Sequence, residues 1–281
     1  MFNYKIKSYA KINLALNIVG KKNSLHKIES IVAFIDLHDI IAIKKISKKN
    51  HNISFSGKFS KNISKRNTVS KLLKILDDQN LLKNKKFKID VNKKIPNKAG
   101  LGGGSMNASS ILNFFIKKKI IKISKKRIAQ ISNSIGSDVI LGLNPKNSIL
   151  NSKNQLKSFS NYKTIHTLIV KPNFGCSTEE IYSKVERFDK PILNLPNKNM
   201  FKFKCLKKMS NSLEPISFSK YPKLKKIKFE LEDMLKPDFV RMTGSGSALV
   251  AYFQSKKRCV RAKKRFNKKY KNYWCIASKT I

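Results

Sequence analysis

The stretch that most constrains this chain is "IPNKAGLGGGSMNASSILNFF", residues 95–115, where four glycines fall within five positions. The run before it, "FKIDVNKKIP", alternates apolar and polar residues as a strand does, and "SMNASSILNFFIKKK" after it has the spacing of a helix. "GLGGG" spends more backbone entropy than a plain strand-to-helix turn requires. Glycine lets backbone N–H groups approach an oxyanion, and the helix that follows presents its positive end. The segment is therefore expected to cradle a phosphate.

Common phosphate-loop signatures do not fit. A dinucleotide fingerprint counted from Gly100 needs glycine at the sixth position, which is Ser105. A Walker loop ends in Gly-Lys-Ser/Thr, whereas Gly104 is followed by Ser105 and Met106. The HRD and DFG elements of protein kinases are absent.

Charge asks first for a polyanionic partner, because the net charge is +45. The basic residues are overwhelmingly lysine, run from end to end, and accompany an excess of isoleucine and asparagine. All three have A- and T-rich codons, so base composition accounts for the excess, and no specific nucleic-acid partner is expected. A dedicated surface would concentrate charge and use arginine. The positive field would still draw small anionic substrates, in a salt-dependent way. Cys176, Cys205, Cys259 and Cys275 lack CxxC pairing or metal-type spacing. With no leader-like or membrane-length apolar run, a cytoplasmic protein without a membrane partner is expected.

Strands and helices alternate in both halves without a strict β-α-β repeat, which predicts an α+β chain of two domains. The early runs "YKIKSYAKINLALNIV" and "SIVAFIDLHDIIAIKKI" read as strands, and "TVSKLLKILDDQNLL" as a helix with Thr68 available near its start. "NSILNSKNQLKSF" looks like a hairpin, and the boundary is expected there, giving domains 1–155 and 156–281. Farther on, "STEEIYSKV" opens a helix with Ser177 or Thr178 as cap, and "YPKLKKIKFELEDML" places Leu224, Ile227, Leu231 and Met234 on one stripe.

"SYAKINLALNIVG", "AGLGGGSMNAS" and "RMTGSGSALVAYF" occur in the order and approximate spacing of the GHMP small-molecule kinases, which the sequence resembles over nearly its whole length. With "LHKIES", "IGSDV", "VKPNFGCST" and "NSLEP" added, it looks most like the branch acting on a cytidine diphosphate-linked methylerythritol. The resemblance implies a two-domain GHMP kinase fold. Its N-terminal domain would be like domain 2 of ribosomal protein S5 and its C-terminal domain ferredoxin-like, with the active site between them. It further implies transfer of the ATP γ-phosphoryl group to the 2-hydroxyl of that substrate, with Mg²⁺ accompanying ATP.

Carried over residue by residue, Pro96, Asn97, Lys98, Ala99, Gly100, Leu101, Gly102, Gly103, Gly104, Ser105 and Met106 would hold the nucleotide phosphates. Gly244 and Ser245 belong to a turn that would close over the site. Lys11 and Asp138 match the catalytic lysine and aspartate, the latter accepting the proton of the attacking hydroxyl. Phosphoryl transfer runs through a loose transition state, so such a pair mainly orients the hydroxyl and stabilises transferred charge. His26 matches a histidine that contacts the cytosine ring, Asn13 falls in the same neighbourhood, Tyr182 matches an aromatic that stacks on the base, and Thr178 a hydroxyl near the transferred phosphate. By residue type alone, Asp138 equally suits a helix-end turn, Lys11 an exposed strand position and Thr178 a helix cap. Metal ligands stay open, with Ser105 and Asp138 as candidates.

Three departures stand out. Leu25 replaces an aromatic before the histidine, Lys98 replaces a glycine, and Ser212 stands where aspartate is usual. The rival expectations are a GHMP kinase of the homoserine or mevalonate type, and a basic nucleic-acid-binding protein on an S5-like fold.

Overall fold

A computed structural model describes residues 4–23, 25–160 and 163–281. The chain gathers into two compact units that are discontinuous in sequence: residues 1–10, 37–97 and 102–145, and residues 11–36, 98–101 and 146–281. The discontinuity arises because two long strands, β1 (Tyr4–Lys22) and β2 (Leu25–Ile46), pass from one unit into the other.

In the first unit β3 (Asn52–Ser56) runs parallel to β4 (Lys86–Asn92), and β4 pairs antiparallel with the C-terminal part of β2, from Ile40↔Asn92 to Ile46↔Lys86. Phe87, Ile89 and Val91 alternate inward along β4. They pack against α1 (Thr68–Asp78), α2 (Gly103–Lys117) and α3 (Lys125–Ile135) in a core that includes Leu72, Leu76, Ile111, Leu112 and Phe115. A single turn, α4 (Val139–Gly142), follows. The cap of α1 is Asn67 and not Thr68: Asn67 Oδ1 accepts from Val69 N (3.0 Å) and Ser70 N (3.1 Å). That leaves the Thr68 hydroxyl to donate to Gly104 O at 2.6 Å.

The second unit holds the expected hairpin of β5 (Asn147–Leu150) and β6 (Leu156–Phe159), with β5 also pairing Ser30–Val32 of β2. Next come β7 (His166–Lys171), α5 (Thr178–Ser183), α6 (Phe203–Lys207), α7 (Glu214–Lys220), α8 (Pro222–Leu235), β8 (Phe239–Met242), β9 (Leu249–Phe253), α9 (Lys256–Lys269) and β10 (Trp274–Lys279). The sheet order β10-β7-β9-β8 is antiparallel throughout. Its core contains Leu168, Val170, Leu249, Ala251 and Phe253, against which α8 lays Leu224, Ile227 and Leu231. Met234 completes that stripe as a half-buried contact. Pro222 sits at the first position of α8, where its missing N–H costs nothing.

Candidate active site

The glycine loop is divided between the units, Lys98–Leu101 belonging to the second and Gly102 onward to the first. In the second unit the loop backbone is tied to the β8–β9 turn by Ser247 N to Lys98 O (3.3 Å), Ala248 N to Ala99 O (3.3 Å) and Thr243 Oγ1 to Gly100 O (3.1 Å). Lys11 N donates to Leu101 O at 3.1 Å, which seats β1 against the same loop. Glycine is required at 100: φ is +70°, and a Cβ there would meet Thr243 O at 1.9 Å. Gly244, at φ +54°, faces it closely enough that a Cβ would lie 3.1 Å from Gly100 Cα.

The turn has further supports. Asn211 Nδ2 donates at 2.8 Å to both Met242 O and Gly244 O, while its Oδ1 accepts from Leu213 N (3.0 Å). Glu214 Oε1 accepts from Met242 N at 2.6 Å. Thr178 Oγ1 and Ser245 Oγ are hydrogen-bonded at 2.9 Å. Ser177, not Thr178, caps α5, accepting from Glu180 N, so the Thr178 hydroxyl faces the turn.

Lys11 is 4% exposed, not on the open face of a strand, and Nζ donates to Asn13 Oδ1 at 2.8 Å. Asn13 N donates to Thr243 Oγ1 at 3.0 Å, so the lysine strand, the β8–β9 turn and the loop form one bonded assembly. The His26 and Tyr182 rings lie 5.3 Å apart, tilted by 51°. His26 Nε2 is buried with no hydrogen-bond partner among the described residues. Burial, and secondarily Lys21, pushes the His26 pKa below its ordinary 6.5. Leu25, the residue before it, is 75% exposed.

In the first unit α2 begins after Gly102 in the left-handed conformation (φ +68°), with no side chain capping its first turn. The N–H groups of such a turn are the donors an anion takes up. Beneath it lies a buried ion pair, Lys93–Asp39, whose carboxylate also accepts from Lys94 N (2.7 Å) and Ile95 N (2.8 Å). A Cβ at Gly103 would lie 3.2 Å from Lys93 Nζ. Asn97 Nδ2 donates to Phe59 O at 2.8 Å. Asp138 is half-buried at the entry to α4, and a Cβ at Gly136 would lie 3.7 Å from Ser105 Oγ, so the "IGSDV" turn packs beside α2. Pro96, Ala99, Leu101 and Met106 are buried, so of the loop residues these pack rather than present side chains.

Two departures have structural counterparts. Lys98 is left-handed (φ +50°), a conformation that explains why glycine suits the position. The Ser212 hydroxyl donates to the carboxylate of Asp189, with Leu16 O 3.0 Å away as the alternative acceptor, so an acid from elsewhere in the chain stands beside it. Asn211 and Glu214 in "NSLEP" and Ser30 in "LHKIES" hold this turn and strand although nothing in those stretches by themselves assigns them a role. Their partners are supplied by distant segments, and no local signal marks them.

The chain matches the family model "GHMP kinases N terminal domain" over residues 67–145. It is 58% identical to the 4-diphosphocytidyl-2-C-methyl-D-erythritol kinase of Pelagibacter ubique (strain HTCC1062), over 100% of both chains. It is 31% identical to the enzyme of that name from Clostridium perfringens (strain 13 / Type A), covering 99% of this chain and 98% of the relative. A crystal structure of 4-(cytidine 5'-diphospho)-2C-methyl-D-erythritol kinase superposes with a TM-score of 0.78 at 21% identity, over 99% and 100% of the chains. Homoserine kinase from Cytophaga hutchinsonii follows at 0.73 and 14%, over 99% and 94%. These structures establish the GHMP kinase fold. With the full-length identity beside that fold, the chain belongs to the 4-diphosphocytidyl-2-C-methyl-D-erythritol kinase family of the GHMP kinases.

Proposed function

We propose that the chain is an ATP-dependent kinase that phosphorylates the 2-hydroxyl of 4-diphosphocytidyl-2-C-methyl-D-erythritol, in the non-mevalonate route to isoprenoid precursors. The observation that carries the reading is the bonded assembly of glycine loop, β8–β9 turn and Lys11 strand, found in a chain 58% identical end to end to a curated kinase of that name.

In this reading the α2 N-terminus and the loop from Pro96 to Met106 hold the ATP phosphates. The Lys11 ammonium, buried where charge interactions are strong, stabilises charge on the phosphoryl group in transit. The 2-hydroxyl oxygen bonds to the γ-phosphorus, its proton passes to the Asp138 carboxylate, and the bond to the ADP oxygen breaks. Thr178, Ser245 and Gly244 line the acceptor phosphate side. His26, kept neutral near pH 7, offers one ring nitrogen as donor and the other as acceptor to cytosine, with Tyr182 supplying a stacking face and Asn13 in the same neighbourhood.

The residues suit Mg²⁺. Among the described residues no three His, Cys, Asp or Glu side chains gather, so protein donors are sparse. Mg²⁺ takes hard oxygens and keeps several waters, and Ser105 and Asp138 are oxygen donors that would hold it. When bound, the ion neutralises charge on the β- and γ-phosphates. Four free cysteines suit a reducing cytoplasm; among the described residues no helix is long and apolar enough to cross a membrane.

The test is ADP release by purified protein with ATP and Mg²⁺, offering the diphosphocytidyl substrate beside homoserine, mevalonate and galactose. Turnover of the first alone is expected. Its absence, or faster turnover of another alcohol, would overturn the proposal.

A further inference from the structure

We infer that Ser30 is a positioning residue for Lys11, acting through the side chain of Asn13; the catalytic sense of this rests on the role proposed for Lys11. Lys11, Asn13 and Ala15 alternate along β1 and so share one face. Ser30 comes from β2, the strand with which β1 pairs. Its hydroxyl has a single proton, committed to Ala15 O at 2.6 Å. Toward Asn13 it acts as acceptor, and Asn13 Nδ2 donates to it at 2.8 Å. With the amide nitrogen held there, Asn13 Oδ1 is turned to Lys11 Nζ, 2.8 Å away.

The alternative amide orientation is doubly penalised. It would set N–H donors against an ammonium and a carbonyl oxygen against a hydroxyl that has no proton left to give. All three side chains are buried, Ser30 at 1%, Asn13 at 3% and Lys11 at 4% exposure, so water cannot repair a mismatch and the polar contacts are strong. The Asn13 backbone is pinned separately by its N–H to Thr243 Oγ1, which itself donates to Gly100 O. Backbone and side chain of Asn13 are thus set by different partners, and Ser30 sets the half that faces the lysine.

The experiment compares kcat and KM for ATP in wild type, Ser30→Ala, Ser30→Thr, Asn13→Ala and the double variant Ser30→Ala/Asn13→Ala. Loss of an oriented hydrogen bond to a charged group is expected to lower kcat roughly tenfold in Ser30→Ala, with KM for ATP within about twofold. Ser30→Thr, which keeps the hydroxyl, should recover most of the loss. In the Asn13→Ala background, Ser30→Ala should change kcat by less than about twofold, because the intermediary is gone. An unchanged kcat in Ser30→Ala, or an equal fractional loss with and without Asn13, would overturn the inference.

A second readout needs neither turnover nor a mutant fold. In wild-type protein the Asn13 side-chain amide protons should exchange with solvent far more slowly than those of exposed asparagines. Exchange at the exposed rate would contradict the relay whatever the enzyme phosphorylates. Slow exchange in a protein that leaves the diphosphocytidyl substrate untouched would instead retain the relay and remove the activity.

Discussion

Lys98 and Gly175 fit each other: the Lys98 Cβ lies 2.6 Å from where a side chain at Gly175 would begin, and Lys98 itself holds φ +50°. Lys171 shapes the facing loop, donating from Nζ to Pro172 O and Phe174 O at 2.9 Å each. Left-handed backbone costs a non-glycine residue about 1–2 kcal/mol, whereas the extra chain entropy of glycine costs about 0.5–1 kcal/mol. Lys98→Gly should therefore stabilise the protein by up to about 1 kcal/mol in urea denaturation. Gly175→Ala should destabilise it by about 1–3 kcal/mol through overpacking, and by less in the Lys98→Gly background. Strict additivity of the two changes would show that the contact is slack.

Asn211 supports the β8–β9 turn by two donations from one buried amide. Asn211→Ala leaves the Met242 and Gly244 carbonyls without that donor, at about 1–3 kcal/mol for each buried group. A fall in thermal midpoint is expected together with a raised KM for ATP, because the same turn carries the bonds to Lys98, Ala99 and Gly100. A lowered midpoint with KM untouched would separate the turn from nucleotide binding.

His26 should titrate below 6.5, chiefly through burial and secondarily through Lys21. Its folded-state pKa is depressed, so folding opposes protonation. Its contribution to stability is complete above the unfolded value and is lost as pH falls through the window between 6.5 and the lower folded value. KM for the diphosphocytidyl substrate is expected to rise across that same fall in pH. Lys21→Ala should move the imidazole resonance only part of the way back, since burial is the larger cause. Full recovery to the ordinary value would reverse that order of causes.

Lys11→Ala and Asp138→Asn should each lower kcat by at least about 100-fold while leaving ATP affinity within a few-fold, measured by calorimetry beside steady-state rates. A near-normal rate in either variant would take that residue out of the mechanism.

Patterns carried by neighbouring residues were legible in the sequence. The inward alternation of Phe87, Ile89 and Val91 and the stripe Leu224, Ile227, Leu231 come from spacing alone. Glycine 100 was legible because its conformation excludes other residues. Caps were legible only to within a residue: Asn67 and Thr68 can both accept from a helix N-terminus, and the cap is Asn67, with the Thr68 hydroxyl bonded instead to Gly104 O. The bonds that give the site its shape join distant positions, such as Thr243 to Gly100 and Asn13 to Ser30. They depend on which strands pair, which no local pattern encodes. Lys98 illustrates the limit from the other side: a departure by residue type, it stands in a left-handed backbone conformation that residue type does not display.

The most direct measurement follows the transferred phosphorus. Purified protein is incubated with ATP, Mg²⁺ and 4-diphosphocytidyl-2-C-methyl-D-erythritol, and the products are read by ³¹P NMR. A new phosphomonoester on the 2-oxygen, formed in step with ADP and with the diphosphate bridge intact, is the predicted result. ADP without that phosphomonoester, or a phosphate on another hydroxyl, would contradict the account.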